Sequence, residues 1–445
     1  MARPLRLRSA PILIALLALS ACAAPEGGRS AEAAPGAAPA ALNAPAAGAE
    51  TAETAGQKSA ASQKAAGQAS EKAEKPPVKE SDMPPAPPQA VPPSDSVKGS
   101  PSASDYIERP DVRAFLQGLS AQKNIPFEWL ESEVRVARYS PLSERYTTPR
   151  PHANKKTTPE KNFRLYERNL VDRERISRGV EFLEENRAVF ERIEAETGVS
   201  RYAVTAIIGI ESIYGRNMGS FRVLDALMTL SFDYTRRAKY YRAELANFLE
   251  FCWLEKTEPV SVTGSFAGAM GLGQFMPSSL KAYGRDGDGD GRIDVVGNDA
   301  DGIASVANFL LVHGWVRGER PLYRVAATPE IFSATASGGI KTHTTAGELL
   351  RAGVKPMEPL PLKDSEPALL VDLPWVKSNN ERGVDYFMGT GSFAAILRYN
   401  RSYFYAAAVS FLADELEEKE KQENPPAEKP AAPGDSAETA GSAAQ

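Results

Sequence analysis

The segment Ile210–Gly219, with the sequence IESIYGRNMG, combines a single glutamate with a glycine-punctuated turn. Glu211 follows the apolar run from Tyr202 to Ile210, which predicts a buried helix that begins after Ser200. Isoleucines lie one turn before this glutamate, so its carboxyl group is expected to lose hydration and its pKa to rise. A carboxyl group that holds a proton near neutral pH can act as a general acid. The alternative is a structural glutamate paired with an arginine.

Two further segments have residue types suited to contact with a ligand. Gly264–Pro277, with the sequence GSFAGAMGLGQFMP, has glycines that allow close approach of a ligand, and its polar side chains are Ser265 and Gln274. Leu397–Tyr405, with the sequence LRYNRSYFY, has aromatic rings and an amide that suit the faces and hydroxyl groups of a sugar. The alternatives are plain tight turns for the first segment and a helix with core tyrosines for the second.

The segment Asp286–Asp294, with the sequence DGDGDGRID, follows the D-x-D-x-D-G pattern of a calcium-binding loop. Its twelfth position is Gly297, where a standard EF-hand has a bidentate glutamate. We therefore expect Asp294, Asp299 or Asp301 to complete the oxygen shell. The four aspartates of the loop would repel one another without a cation, so the sequence predicts Ca²⁺ here rather than a solvated turn.

The composition divides the chain into a folded domain and two flanks. All aromatic residues fall between Tyr106 and Phe411, so the folded core is expected within these limits. The flanks consist mainly of Ala, Pro, Gly, Ser, Glu and Lys, and such a composition cannot bury enough apolar surface to fold. We predict a disordered tether at residues 23–104, a catalytic domain at residues 105–417 and a disordered tail at residues 418–445.

The first residues are typical of an export signal. Three arginines precede the apolar run Pro11–Leu19, which is shorter than the ~20 residues of a transmembrane helix. The run ends in Leu19–Cys22, with the sequence LSAC, which is similar to the lipobox of bacterial lipoproteins. We interpret residues 1–22 as a lipoprotein signal and Cys22 as the lipidated residue; the alternative is an ordinary cleavage site with an incidental cysteine. Ala23, rather than an aspartate, indicates the outer membrane by the same resemblance.

Several function classes are disfavoured by composition. The net charge of −5 and the lack of a basic stripe argue against a nucleic-acid-binding protein. The three histidines have no metal-ligand spacing, which argues against a zinc site or a serine hydrolase triad. Cys252 lies in an apolar run and has no disulfide partner if Cys22 is lipidated, so we predict a small core residue without a catalytic role.

Apolar periodicity predicts helices almost throughout the domain, so the predicted fold class is mainly α. Propensity for β structure appears only weakly between Leu322 and Leu397, where a small sheet or hairpin is expected, and Thr344–Gly353 is expected to form a short capped helix. The predicted helices are residues 110–121, 127–134, 165–196, 201–213, 222–232, 235–255, 278–284, 301–313 and 402–418.

Together with Leu224–Phe232, the segments described above resemble the membrane-bound lytic murein transglycosylase B family, glycoside hydrolase family 103, over about residues 108–415. The resemblance implies a lysozyme-like helical core with a small mixed additional lobe and an EF-hand-like calcium loop. It implies cleavage, without water, of the β-1,4 bond between N-acetylmuramic acid and N-acetylglucosamine in peptidoglycan, with closure of a 1,6-anhydro ring. The implied role is cell-wall remodelling and turnover, and the implied location is the periplasmic face of the outer membrane.

The resemblance also implies roles for individual residues. Glu211 would be both acid and base, because the C6 hydroxyl group of the substrate attacks and the 2-acetamido group stabilises the oxocarbenium ion. Tyr399 would support Glu211, while Ser265 and Asn400 would orient the acetamido group or the bound sugar. Ca²⁺ would be structural, and no organic cofactor is implied. The implied sugar-contacting residues are Ser265, Gln274, Tyr399, Asn400, Tyr240 and Tyr405, and the predicted calcium ligands are Asp286, Asp288, Asp290, the Arg292 carbonyl group and Asp301.

The chain offers one good candidate carboxylate, whereas most glycosidases use two that lie roughly 5 to 9.5 Å apart. Asp225 and Asp233 each sit where they can cap a helix or form a turn, so neither is assigned to catalysis. A single glutamate suffices if it first protonates the leaving oxygen and then accepts the proton of the substrate's own hydroxyl group. Two other interpretations stay open: a muramidase that adds water at the same glutamate, and a noncatalytic lipoprotein that binds murein. Partners among cell-wall synthesis or division proteins also stay open.

Overall fold

The computed structural model describes residues 106–149, 160–335 and 344–424, and helices dominate these residues. The predicted mainly α fold class is therefore confirmed. The predicted export signal with Cys22, the tether and residues 425–445 of the predicted tail lie outside the described residues. None of the described helices combines the length and the apolar character that crossing a membrane requires.

The α-helices of the described residues carry labels in chain order. They are α1 (Pro110–Lys123), α2 (Phe127–Arg135), α3 (Pro141–Thr147), α4 (Phe163–Leu170), α5 (Arg173–Glu185), α6 (Arg187–Thr197), α7 (Arg201–Ser212), α8 (Val223–Phe232), α9 (Ala238–Leu254), α10 (Pro277–Tyr283), α11 (Asp299–Val312), α12 (Pro329–Thr335), α13 (Ala346–Arg351), α14 (Gly391–Tyr399) and α15 (Tyr403–Glu423). The strands are β1 (Phe221–Arg222), β2 (Thr263–Gly264), β3 (Leu322–Ala326), β4 (Thr344–Thr345), β5 (Lys355–Pro356), β6 (Pro367–Val376) and β7 (Arg382–Gly389).

Short polar side chains set helix limits that apolar periodicity did not predict. The single helix predicted over residues 165–196 is in fact α4, α5 and α6. The side chains of Asn162 and Asp172 accept capping hydrogen bonds at the starts of α4 and α5, and Asn186 separates α5 from α6. Such side chains compete for backbone hydrogen bonds and favour a helix start over continuation. At the other end of the domain, α15 continues to Glu423, beyond the predicted boundary at residue 417.

The weak β propensity corresponds to a five-stranded antiparallel sheet with the strand order β4-β6-β7-β3-β5. The helices α12 and α13 belong to the same lobe, so the predicted small mixed lobe is confirmed. The predicted capped helix is α13, in which Thr345 and Glu348 form a reciprocal capping box.

Strand β6 connects the sheet lobe to the helical core, because its two faces are buried in different clusters. Leu369, Val371 and Leu373 belong to the core of the helices, whereas Ala368 and Leu370 belong to a second core within the lobe. Successive side chains of a strand point to opposite faces, so this alternation fixes the register of the sheet against the helices.

Helix α7 lies at the centre of the helical core. Every residue from Ala203 to Ile210 is buried, and α15, α5 and α11 pack around the helix. Ser200 occupies the position before its first turn, as predicted, but the Ser200 side chain accepts no capping hydrogen bond. Cys252 is a buried free thiol in α9, which confirms the prediction of a core residue. The central position of α7 places Glu211 at the end of a rigid element.

Candidate active site

Helix α7 ends with Glu211 and Ser212, and the chain then turns through three residues in the left-handed region. Ile213, Tyr214 and Gly215 have φ values of 51°, 53° and 82°. Glycine adopts this region freely, whereas a β-branched residue such as isoleucine is strained there. The backbone N–H of Gly215 donates to the Ser212 hydroxyl oxygen at 3.1 Å. Strain that the surrounding structure maintains in this way is typical of functional sites.

The Tyr214 side chain fixes this turn against the helices behind it. Its hydroxyl group donates to the backbone carbonyl oxygen of Arg175 at 2.8 Å. A Cβ atom at Gly209 would overlap the Tyr214 hydroxyl oxygen, so the ring fits only because residue 209 has no side chain. The turn after Glu211 is thus anchored in the core by one aromatic residue.

Glu211 has the properties of a buried acid. The hydroxyl group of Tyr405 in α15 donates to Glu211 Oε1 at 2.8 Å. Burial raises the pKa of Glu211 to about 7, and the hydrogen bond from Tyr405 opposes part of this rise. No arginine or lysine of the described ranges forms an ion pair with Glu211. The structure therefore does not contain the glutamate–arginine pair that was the alternative for this residue.

Tyr399 lies near Glu211 but is not its hydrogen-bond partner. The Tyr399 hydroxyl group donates to the backbone carbonyl oxygen of Gly273. Burial raises the pKa of Tyr399, and the negative charge of Glu211 adds to the rise, so the two side chains are within electrostatic range. The family resemblance implied that Tyr399 supports Glu211, and this role stays a prediction; the hydrogen bond to Glu211 in the structure comes from Tyr405. Tyr405 sits on the first turn of α15, which packs against α7, whereas Tyr399 ends α14.

Tyr166 of α4 is a further side chain within electrostatic range of Glu211, and no sequence motif indicated it. Its hydroxyl group is buried, and the charge of Glu211 adds to the effect of burial in raising the pKa of Tyr166. The ring contacts Phe404 edge-on, with 5.6 Å between centroids. Tyr166 lies far from the other motifs in sequence, and only the packing of α4 on α15 brings it to the site.

Gln274 connects the glycine-rich segment to the turn after Glu211. Its Nε2 atom donates to the backbone carbonyl oxygens of Met218 and Gly271, both at 3.0 Å, and its backbone has a φ of 48°. Ser265 Oγ accepts from the backbone N–H of Ala269 at 3.0 Å. Both polar side chains therefore shape this segment, and their contact with a sugar stays a prediction.

The other two predicted sugar-contacting residues differ in their surroundings. Asn400 is buried and directly follows Tyr399, the last residue of α14. Tyr240 lies on the first turn of α9, half-buried, with its ring edge-on to Tyr241 at 5.1 Å between centroids. The role of Tyr240 in a sugar subsite stays a prediction.

The aspartate loop has a geometry that fits Ca²⁺. One carboxylate oxygen from each of Asp286, Asp288 and Asp290 lies within 4.8 Å of the others. Calcium takes oxygen ligands at about 2.3 to 2.6 Å, so oxygens on opposite sides of the ion are separated by up to about 5 Å. The backbone N–H of Arg292 donates to Asp290 Oδ1 at 2.8 Å, which keeps the loop curled, and the Arg292 carbonyl group stays a predicted ligand.

Asp301 closes this loop and connects it to the rest of the domain. Its two carboxylate oxygens accept from the backbone N–H groups of Gly287 and Asp294, each at 2.6 Å, and it lies outside the group of three aspartates. Beyond the loop, the Val295 carbonyl oxygen accepts from the Leu272 N–H at 3.1 Å. The loop is thereby joined by a backbone hydrogen bond to the glycine-rich segment.

A protonatable glutamate at the end of a buried helix, beside a glycine-rich segment, is suited to acid-assisted cleavage of a glycosidic bond. The family model for the transglycosylase SLT domain matches residues 108–414, which is more than half of the chain. The chain belongs to this family, and the resemblance in its motifs is confirmed.

Individual relatives agree with this assignment. The chain is 38% identical over 244 residues to membrane-bound lytic murein transglycosylase B of Escherichia coli (strain K12), a match that covers 55% of this chain and 64% of that relative. The structure is similar to catenated lytic transglycosylase SltB1 from Pseudomonas aeruginosa, with a TM-score of 0.64, 35% identity, and coverage of 71% of this chain and 100% of that chain. It is also similar to Escherichia coli Slt35 in complex with calcium, with a TM-score of 0.61, 31% identity, and coverage of 72% and 96%. The predicted lysozyme-like helical core is confirmed by these matches.

Proposed function

We propose that this protein is a lytic murein transglycosylase, which cleaves the β-1,4 bond between N-acetylmuramic acid and N-acetylglucosamine without water and leaves 1,6-anhydromuramoyl ends. The observation that carries the proposal is the isolation of Glu211: burial raises its pKa to about 7, and no second carboxylate of the described residues contributes to that pKa. Membership in the transglycosylase family and the similarity to a murein transglycosylase support the choice of substrate.

In the first step, protonated Glu211 donates its proton to O4 of the departing N-acetylglucosamine as the bond from C1 of the muramoyl sugar to O4 breaks. A pKa near 7 means that a large part of the enzyme holds this proton at neutral pH. The 2-acetamido carbonyl group of the muramoyl sugar stabilises the positive charge that develops at C1. This replaces the second carboxylate of a retaining glycosidase.

In the second step, the C6 hydroxyl oxygen of the same sugar bonds to C1, and its proton passes to the Glu211 carboxylate. Glu211 is thereby protonated again and ready for the next turnover. Because the nucleophile belongs to the substrate, the reaction is intramolecular and needs no ordered water. The hydrogen bond from Tyr405 to Oε1 keeps one carboxyl oxygen in place in both steps.

The residues around Glu211 would position the glycan. Ser265 and Gln274 lie on the glycine-rich segment, which adjoins the turn after Glu211, and Asn400 follows Tyr399. Their amide and hydroxyl groups suit the acetamido and hydroxyl groups of the sugars. Aromatic rings of Tyr399 and Tyr240 provide surfaces on which sugar rings can pack.

Ca²⁺ is the cofactor that this loop would hold, through Asp286, Asp288, Asp290 and the carbonyl group of Arg292. When bound, the ion neutralises the repulsion among the aspartates and supplies no step of the reaction. Asp301 would act mainly by fixing the loop, because both of its carboxylate oxygens accept backbone hydrogen bonds. The calcium complex of Escherichia coli Slt35 supports this proposal.

The proposed location is the periplasmic face of the outer membrane, with a lipid anchor at Cys22. The predicted export signal that ends at Cys22 supports this location, as does the membrane-bound character in the name of the Escherichia coli relative. The predicted tether at residues 23–104 would let the domain reach the cell wall from that surface.

The products released from purified peptidoglycan sacculi test the proposal. We expect mass spectrometry to find anhydromuramoyl ends with the wild-type protein and no release with Glu211→Gln, which keeps the shape of the side chain but has no transferable proton. Glu181→Gln on the exposed face of α5 is the matched control and is expected to keep full activity. Reducing ends instead of anhydro ends would identify a hydrolytic muramidase, and no release by the wild-type protein would identify a noncatalytic binder.

A further inference from the structure

The Tyr166 hydroxyl group is buried and has no hydrogen-bond partner in the part of the chain that the structure describes. The ring itself is well packed, since it contacts Phe404 edge-on with 5.6 Å between centroids. A buried hydroxyl group without a partner destabilises a folded protein, and a phenylalanine would fill the same space without that cost. The fold alone therefore gives no reason for the oxygen atom of Tyr166.

The position of this hydroxyl group indicates which group it could serve. Phe404, which Tyr166 contacts, is followed in α15 by Tyr405, whose hydroxyl group donates to Glu211 Oε1 at 2.8 Å. The charge of Glu211 also acts on Tyr166, so the two side chains are within electrostatic range. Because the Tyr166 oxygen is shielded from solvent, a bound sugar cannot reach it without a rearrangement. The group in range that could accept a further hydrogen bond is the ionised carboxylate of Glu211.

The other groups that face Glu211 cannot fill this role. Tyr399 of α14 donates to the carbonyl group of Gly273, and Tyr405 of α15 already binds Oε1. Behind the end of α7, the Arg175 guanidinium group donates to the Gly209 carbonyl oxygen at 3.1 Å and pairs with Asp172. None of the described cations forms an ion pair with Glu211. A carboxylate formed at Glu211 thus has one hydroxyl donor already bonded, Tyr405, and a second donor without a partner among the described residues, Tyr166.

We propose that Tyr166 is a positioning residue whose hydroxyl group donates a hydrogen bond to Glu211 once the carboxyl group has given up its proton. This inference rests on the proposed function, in which Glu211 is first an acid and then a base. The hydrogen bond stabilises the carboxylate that forms as the glycosidic bond breaks, and it holds that carboxylate still while it accepts the proton of the C6 hydroxyl group. While Glu211 holds its proton, the Tyr166 hydroxyl group has no hydrogen-bond partner within the described ranges.

The first test compares Tyr166→Phe with the wild-type protein in turnover and in stability. A hydrogen bond to a charged group is stronger than one between neutral groups, so its loss is expected to lower kcat at the pH optimum by about tenfold. The alkaline limb of the kcat profile should move up by about one pH unit, because the ionised form of Glu211 is less stabilised. The melting temperature should stay unchanged or rise. Tyr202→Phe, which removes a hydroxyl group bonded to Glu420 at 2.6 Å, is the matched control and should leave the kcat profile unchanged.

The second test measures the titration of Glu211 without substrate. Infrared difference spectra between each protein and its Glu211→Gln counterpart isolate the band of this one carboxyl group, and the midpoint in Tyr166→Phe should be about one pH unit higher. A midpoint and a kcat profile equal to those of the wild-type protein would overturn the inference, and so would a lowered melting temperature with an unmoved midpoint. If the midpoint moves but the wild-type protein releases no anhydro ends, the proposed function fails while the contact between Tyr166 and Glu211 stands.

Discussion

Replacing Glu211 with glutamine is expected to stabilise the protein at alkaline pH and to leave its stability almost unchanged at acidic pH. Burial raises the pKa of Glu211 from the ordinary value of 4.5 to about 7. Between these values the unfolded chain has lost the proton that the folded protein still holds. Folding of the wild-type protein is thus favoured by this group below pH 4.5, and the contribution is lost as the pH rises through 7.

The size of the effect follows from the same two values. Each unit of pKa corresponds to ~1.36 kcal/mol. Above the folded-state pKa, the free energy of unfolding of the wild-type protein should therefore be lower than that of Glu211→Gln by about 3 kcal/mol. The Glu211 residue keeps some exposure to solvent, so solvent screening lowers the expected difference to about 2 kcal/mol. Glutamine has no proton to lose, so the stability of Glu211→Gln minus that of the wild-type protein should grow between pH 4.5 and 7 and then level off.

Thermal unfolding of both proteins over this pH range is the assay. Other titrating groups are common to the two proteins and cancel in the difference. The glutamine variant should melt higher by roughly 5 °C at pH 8, and the two melting temperatures should converge near pH 4.5. The exposed Glu181→Gln variant controls for the amide substitution itself. A difference that does not change with pH, or a glutamine variant that is less stable at pH 8, would refute the argument that Glu211 is a buried acid.

Three further predictions concern the turn, the calcium loop and the anchor. Gly209→Ala should displace Tyr214, whose hydroxyl oxygen lies where the new methyl group must go, and should lower kcat by at least tenfold; a crystal structure with the turn unmoved and full activity would contradict this. Ca²⁺ should raise the melting temperature far more than Mg²⁺, and changing both Asp286 and Asp290 to Asn should abolish the effect. Equal melting temperatures in Ca²⁺ and in chelator would disprove calcium binding by this loop. Changing Cys22 to Ala should release an active enzyme into the soluble periplasmic fraction, and continued membrane association of that variant would disprove the lipid anchor.

The positions of the motifs could be predicted from sequence because each depends on local chemistry. Glu211 was identifiable because an apolar helix followed by a glycine turn is a local pattern, and the structure has the expected raised pKa. The aspartate loop was identifiable from the spacing of its carboxylates, which the structure brings together, while calcium binding by this loop stays a prediction. The capped helix at Thr345 was predictable because a capping box involves residues only three positions apart.

The partners of Glu211 could not be predicted, because they depend on how distant helices pack. Tyr405 and Tyr399 are close in sequence and both aromatic, and only the packing of α15 on α7 decides that Tyr405 reaches the carboxyl group. Tyr166 carried no motif at all, since one tyrosine on a helix is usually a core residue. Asp301 was predicted as a metal ligand from its position after the loop, and that role stays a prediction. Its hydrogen bonds to backbone N–H groups at the two ends of the loop could not be predicted, because they depend on how the loop folds back.

The central claim is that Glu211 acts without water, as acid and then as base, on a nucleophile that the substrate itself supplies. Digestion of purified sacculi in water labelled with heavy oxygen tests this claim most directly, because the origin of the oxygen bonded to C1 of the muramoyl product is read by mass spectrometry. We predict anhydromuramoyl products that contain no heavy oxygen and are lighter than the hydrolysis product by one molecule of water. Reducing muramoyl ends that carry heavy oxygen at C1 would contradict the account.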